Sequence, residues 1–209
     1  MTVGRLFIYF IITAMIGYIY ECIAMTIWSG KWDNRGYMLG PTIPIYGVGC
    51  LLGLITFGSF IKQYSPLSVF LCGFIMSAVL EYPTSVILEK IFHTRWWDYS
   101  IGPWNIEGRV SLLSSLGFGL GAVLIVYVLN PVLVPLVMKI KPETVKWLSM
   151  LLAVIFILDF IAAAYCAMNN VKPEFIKKYN NFMSEQVKKI NPEGKSLYKF
   201  LKKHTNLFK

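Results

Sequence analysis

Five apolar runs, separated by polar or turn-forming links, organise the chain. They cover residues 6–28, 43–61, 67–88, 110–137 and 144–168. A run of about 18 or more residues with few charges matches the hydrocarbon thickness of a bilayer. The runs lack the period-two alternation of barrel strands, and within lipid only helices or closed barrels satisfy the backbone. Each run therefore predicts a transmembrane helix. The expected fold class is all-α: a polytopic transmembrane bundle of about five spans. Pro131 and Pro135 predict a break in the fourth span, and Pro83 a kink in the third, because proline removes a helical hydrogen bond. The first run is too long for a signal-peptide core of about 7–15 residues and carries Glu21. With no small-residue cleavage site after it, it reads as a retained helix.

Residues 170–209 depart from this pattern. Phe175, Tyr179, Phe182, Met183 and Ile190 recur at helical spacing, with Lys177, Lys178, Lys188 and Lys189 largely on other faces. That predicts a C-terminal amphipathic basic helix lying on the membrane surface. Pro192–Gly194 interrupts it, and Leu197, Phe200 and Leu201 with Lys199, Lys202 and Lys203 repeat the pattern. The expected organisation is a transmembrane domain, 1–169, followed by a basic cytoplasmic tail, 170–209.

Composition agrees. Of 209 residues 56% are hydrophobic and only 15% charged, against roughly 25% charged in soluble domains. The net charge of +9 is concentrated in the tail, which holds ten lysines and three glutamates. A basic segment that follows a span is suited to anionic lipid headgroups. No nucleic-acid-binding motif is present, so nucleic acid is not an expected partner.

The lysines and arginines also predict orientation. Arg5, Lys62, Lys139, Lys141 and Lys146 fall on one side of five spans, and Lys31, Arg35, Lys90, Arg95 and Arg109 on the other. The tail lysines break the tie, because positive charge near a span end favours the cytoplasmic side. The N-terminus is expected outside and the C-terminus inside a bacterial cell membrane.

Charged residues inside spans are costly and usually face protein, a partner charge or water. Glu21, Glu81, Glu89 and Asp159 lie within or at the edge of spans. Under this topology all four fall toward the cytoplasmic half. Thr13, Gly17 and Glu21 are four apart, as are Glu81, Ser85 and Glu89, so each set shares one helix face. Arg35, Arg95 and Arg109 come from links on the same side, and their planar guanidinium groups suit carboxylate or phosphate. Two readings stay open: a polar cavity walled by Glu21 and Glu81 and roofed by the arginines, or structural ion pairs that fix loops to helix ends. Trp96, Trp97, Tyr99 and Trp104 fit an interfacial aromatic belt or an aromatic ligand platform, and Asp98 fits a pair with Arg95 or a turn cap. The spacings Gly49/Gly53 and Gly117/Gly121 predict close helix approach.

Cys22, Cys50, Cys72 and Cys166 all lie in apolar runs without a CxxC pair, and His93 and His204 are the only histidines, so neither a metal site nor a cofactor is expected. Gly194-Lys195-Ser196 ends like a P-loop, but Lys189 occupies the earlier glycine position, so the chain carries no visible ATPase motif. No G-x-S-x-G elbow is present either, and no catalytic residue is assigned.

Several motifs occur in order: Glu21, Asn34-Arg35-Gly36, the run Gly40 to Gly47 with Tyr46 near its end, Glu81-Tyr82, Trp96 to Ser100, and Asn105 to Arg109. Together, over roughly residues 5–135, they make the chain resemble the bacterial family labelled putative ABC-transporter permease, type IV (CmpB-like). The matching residues are Glu21, Asn34, Arg35, Tyr46, Glu81, Trp97, Asp98, Asn105 and Arg109. With Glu89 these form the candidate substrate pathway. The chain departs from the family pattern at Trp104, where phenylalanine is common, and at Ser111, where cysteine is common; neither change removes a charge. On this view the tail and Asp159 lie outside the resemblance. The resemblance implies a permease-like transport subunit that would work with a separate ATPase subunit. A bundle of five spans is small for a pathway, which makes a homo-oligomer a further expectation. Two other readings are kept: a membrane-embedded enzyme or lipid-handling protein acting on a lipid or isoprenoid phosphate, with carboxylates as base or metal ligands and arginines on phosphate, and a non-catalytic envelope interaction protein.

Overall fold

The computed structural model describes residues 1–58 and 64–204. Its helices are α1 (Val3–Ser29), α2 (Pro44–Phe57), α3 (Pro66–Phe92), α4 (Leu112–Leu124), α5 (Asn130–Met138), α6 (Pro142–Met168), α7 (Glu174–Ile190) and α8 (Leu197–His204). A π-helical turn, Ile125–Leu129, joins α4 to α5, and two short strands, β1 (Asn105–Ile106) and β2 (Val110–Ser111), form an antiparallel hairpin. The protein is an all-α membrane bundle. Among the described residues, four helices are long and apolar enough to cross a bilayer: α1, α3, the continuous Leu112–Met138 and α6.

Among the described residues the second predicted span holds a shorter helix than the other four. Helix α2 has 14 residues, about 21 Å at 1.5 Å per residue, against a hydrocarbon core of about 30 Å. It stops where Gly58 adopts a left-handed conformation (φ 52°) and its amide bonds back to the Leu54 carbonyl, a helix ending that glycine permits at low cost. Residues 59–61 of the predicted span, and Lys62, lie outside the described residues. The fourth span is distorted just ahead of the prolines. The π-turn precedes Pro131, whose missing N–H cannot serve the carbonyl one turn earlier. Helix α3 runs unbroken through Pro83.

The chain forms two compact units: Met1–Ala14 with Pro44–Phe156, and Met15–Ile43 with Ile157–Lys209. The first unit has its core around Ile8, Tyr9, Cys50, Leu54, Val137 and Val145. Burying such side chains is worth about 1.5–3 kcal/mol each in water; in lipid, close packing replaces that drive and small residues set the approach. A Cβ on Gly47 would lie 2.6 Å from the Phe10 ring, and one on Gly119 2.7 Å from Phe70. By contrast, a Cβ on Gly49, Gly53, Gly117 or Gly121 would meet nothing within 4 Å. The G-x-x-x-G spacings therefore do not join helices within the described chain; Gly47 and Gly119 do that work. Arg5 Nη2 donates to the Ile140 carbonyl at 3.0 Å, placing the start of α1 beside the α5–α6 turn. The Tyr9 hydroxyl donates to buried Asn130 Oδ1 at 2.5 Å, next to the π-turn.

In the second unit the link after α1 does not leave the helix. It runs back along it. The Asp33 amide donates to Thr26 Oγ1 (3.3 Å), the Arg35 amide to Cys22 Sγ (3.4 Å), and the Tyr18 hydroxyl to Asn34 Oδ1 (2.8 Å). Tyr18 lies eleven residues before the end of α1, about 16 Å of helix. The segment 31–43 is thus non-helical backbone at the depth of a span, which is tolerated only against protein or water. The tail forms α7 and α8, with Gly194 at φ 57° in the interruption and the Ser196 hydroxyl capping the Lys199 amide at 3.0 Å. The side chains of Leu201 and Lys202 lie outside the description.

Candidate functional site

Apart from Tyr46, the predicted site residues assemble as two clusters, one in each unit. In the first unit α3 presents a stripe four residues apart. Ser77, Glu81 and Ser85 are buried and Glu89 continues the stripe at the helix end. Glu81 is 4% exposed. Its Oε1 accepts from the Tyr99 hydroxyl and its Oε2 from the Ser114 hydroxyl, both at 3.1 Å. Ser114 is held by a capping box with Ser111 at the start of α4, in which the Ser114 amide donates to Ser111 Oγ at 3.0 Å. A helix start with paired serines thereby fixes the hydroxyl that meets the carboxylate.

The loop 93–111 supplies the cations. Arg109 Nη1 donates to Ser85 Oγ at 3.0 Å and Nη2 to Glu89 Oε2 at 2.5 Å, while Arg95 Nε donates to Glu89 Oε1 at 2.9 Å. Glu89 therefore binds two guanidinium groups, one per oxygen. Tyr82 donates to Glu107 Oε2 at 2.8 Å, and that oxygen lies 3.5 Å from Arg109 Nε. Charge-assisted bonds of this kind are shorter and stronger than neutral ones. They tie the loop to the end of α3.

The remaining loop residues of the predicted site shape the loop. Trp97 Nε1 donates to the Arg109 carbonyl at 2.8 Å. Asn105 accepts the Gly108 amide and donates to the Gly102 carbonyl, both at 2.8 Å. Asp98 Oδ1 accepts the Ser100 amide at 2.9 Å, a turn cap rather than a bond to Arg95. That amide, with the Ser100 hydroxyl, holds the Asp98 carboxyl below the usual carboxylate range. Gly108 (φ 68°) leaves no room for a side chain, because a Cβ would lie 2.5 Å from Asp98 Oδ1. Trp104 is 71% exposed. Tyr46, on α2, stacks on Phe118 with centroids 5.6 Å apart.

The second unit holds Glu21, Asn34 and Arg35. Arg35 Nε lies 3.6 Å from Glu21 Oε1, and Nη1 lies 3.7 Å from Asp33 Oδ2. These are charge contacts beyond good hydrogen-bond distance. Asn34 is the acceptor for Tyr18. The same unit contains Asp159, which the sequence left without a role. Asp159 Oδ1 accepts the Leu39 amide at 3.0 Å, and Oδ2 accepts the Gly40 amide at 3.0 Å. Asp159 is nine residues from the end of α6, about 14 Å of helix. The carboxylate therefore clasps the re-entrant backbone within the span. A Cβ on Gly40 would lie 2.9 Å from Asp159 Oδ2, so glycine is what lets the backbone come this close. Among the described residues no group of three or more His, Cys, Asp or Glu side chains is placed to hold a metal ion.

The family model described as "Putative ABC-transporter type IV" matches residues 8–164. The chain belongs to the putative ABC-transporter type IV family. The match extends beyond residue 135, the limit expected from the motifs, and includes Asp159 and most of α6. Membership in the ABC-transporter type IV family supports a transport-related function for this multi-pass membrane protein. No curated protein and no solved structure matches the chain.

Sequence reasoning missed Tyr99 and Ser114 as partners of Glu81, and it missed the clasp at Asp159. The pair Ser111-x-x-Ser114 before an apolar run was a usable helix-start signal. Main-chain donors such as Leu39 and Gly40 leave no mark in a sequence.

Proposed function

We propose that the chain is the permease-like membrane subunit of an ABC-type transporter, embedded in a bacterial plasma membrane with its C-terminus inside. Membership in the type IV family over residues 8–164 carries this reading. The chain has no P-loop of its own, since Lys189 stands where the first glycine would be. Energy from ATP would come from a separate ATPase subunit, and a homo-oligomer would enlarge the pathway.

The substrate-facing groups in this reading are Glu21, Asn34, Arg35, Tyr46, Glu81, Glu89, Trp97, Asp98, Asn105 and Arg109. Glu81 is the residue on which the reading is most exposed to test. A buried carboxylate in a span is costly to keep; beside the hydroxyls of Tyr99 and Ser114, an amide of the same shape can accept from one at its oxygen and donate to the other from its nitrogen. Glu81→Gln is therefore expected to accumulate normally in the membrane and purify as a monodisperse species, yet fail to complement a strain lacking the gene. A variant that is simply misfolded would assign Glu81 to structure instead. Full complementation by the folded variant would remove the charge from the mechanism.

A further inference from the structure

The tail is seated on the end of α1 and still leaves an apolar stripe uncovered. Trp32 Nε1 donates to Asn180 Oδ1 at 3.2 Å, and its ring meets Tyr179 edge-on with centroids 5.9 Å apart. Beyond α7, Asn191 Nδ2 donates to the Lys195 carbonyl at 2.8 Å, and a Cβ on Gly30 would lie 2.6 Å from that same oxygen. The Trp28 ring lies 5.8 Å from Tyr198. These contacts use one side of α7, where Ile176, Asn180, Met183 and Val187 are half-buried. The neighbouring stripe is bare: Phe175 is 59% exposed, Phe182 57% and Ile190 86%. Helical geometry puts Lys178 and Lys189 along the far edge of that stripe with Glu185 between them, and Lys177 and Lys188 beyond. On α8, Phe200 is also 57% exposed.

An apolar stripe edged by lysines is what an interfacial helix presents to a lipid surface. Its position favours that surface, because α7 begins six residues after the last residue of α6, a helix long and apolar enough to span. The tail's ten lysines against three glutamates supply the complementary charge. We infer that α7 lies in the membrane–water interface, with Phe175, Phe182 and Ile190 among acyl chains and with Lys178 and Lys189 on the phosphates of anionic phospholipids. The docked side fixes the rotation of the helix, so the lysine edge is held at headgroup level in the intact protein. This inference does not depend on the transport reading.

The test uses the full chain with a benzoylphenylalanine photocrosslinker at position 182, in nanodiscs of phosphatidylcholine mixed with phosphatidylglycerol and in native membranes. The expected product is a lipid adduct enriched in the anionic lipid over its share of the bilayer. Lys178→Gln and Lys189→Gln should each lower that enrichment about fivefold while leaving the yield of total lipid adduct unchanged, which shows that the helix is still in place. A crosslinker at 183, on the docked side, should give mainly intramolecular product. An adduct to another protein at 182, or lipid adducts without charge preference, would overturn the inference.

Discussion

The two polar clusters hold their carboxylates by opposite means. In the unit containing α3 and α4, the acids meet side chains: Glu81 meets two hydroxyls and Glu89 two guanidinium groups. In the unit containing the C-terminal halves of α1 and α6, Asp159 meets only backbone amides in the described bonds, and Glu21 meets Arg35 at 3.6 Å. The first arrangement anchors a loop to the end of a helix through charged side chains. The second holds an irregular stretch of backbone at span depth through the main-chain amides of Leu39 and Gly40. A backbone amide that loses its acceptor is left unpaired, whereas the charged side chains of the first cluster can turn toward other partners, so the second should be the less tolerant of change.

Asp159→Ala sharpens this comparison most. It removes the acceptor for the Leu39 and Gly40 amides, at a cost of about 1–3 kcal/mol for each donor left unpaired. Hydrogen exchange at Leu39 and Gly40 should accelerate sharply, with loop 93–111 unaffected. Unchanged protection at both amides would break the contrast. Gly47→Leu comes next, at about 1–3 kcal/mol of overpacking against Phe10, with Gly49→Leu close to neutral because its position is open; unfolding midpoints in a denaturing detergent compare the pair. Glu89→Gln should be milder for the fold. It weakens both arginine contacts and opens loop 93–111 to limited proteolysis, while segment 31–43 stays protected.

The smallest effect is on pH dependence. The folded state holds the Asp98 carboxyl below its ordinary range through the Ser100 amide. Its contribution is therefore fully present above the ordinary aspartate range and is lost as pH falls through the lowered folded value. Fluorescence of Trp96 and Trp97 should report loosening of the loop only at acid pH, and Asp98→Asn should flatten that response.

The sequence made some of this legible and not the rest, for physical reasons. Glu81, Ser85 and Glu89 share a face because residues four apart align on a helix, so their stripe was readable. The long spans were readable from apolar length. The helix end at Phe57 was not, because Gly58 takes a left-handed conformation inside an apolar run. The re-entrant path of 31–43 was equally hidden, since it depends on Asp33, Asn34 and Arg35 folding back onto Thr26, Tyr18 and Cys22. Glycine spacing misled: Gly49/Gly53 fit the packing motif, whereas Gly47, with no such partner, makes the close approach to Phe10. Which glycine faces a neighbour is a property of the tertiary contact.

The proposed role as the membrane subunit of an ATP-driven transporter can be tested in the native membrane. Gentle extraction of the full-length protein from its native membrane, followed by identification of what co-purifies, tests it most directly. The expected result is an ATPase present in a fixed stoichiometric ratio and retained by Glu81→Gln. Recovery without any ATPase, together with no uptake or export defect in the deletion strain, would contradict it.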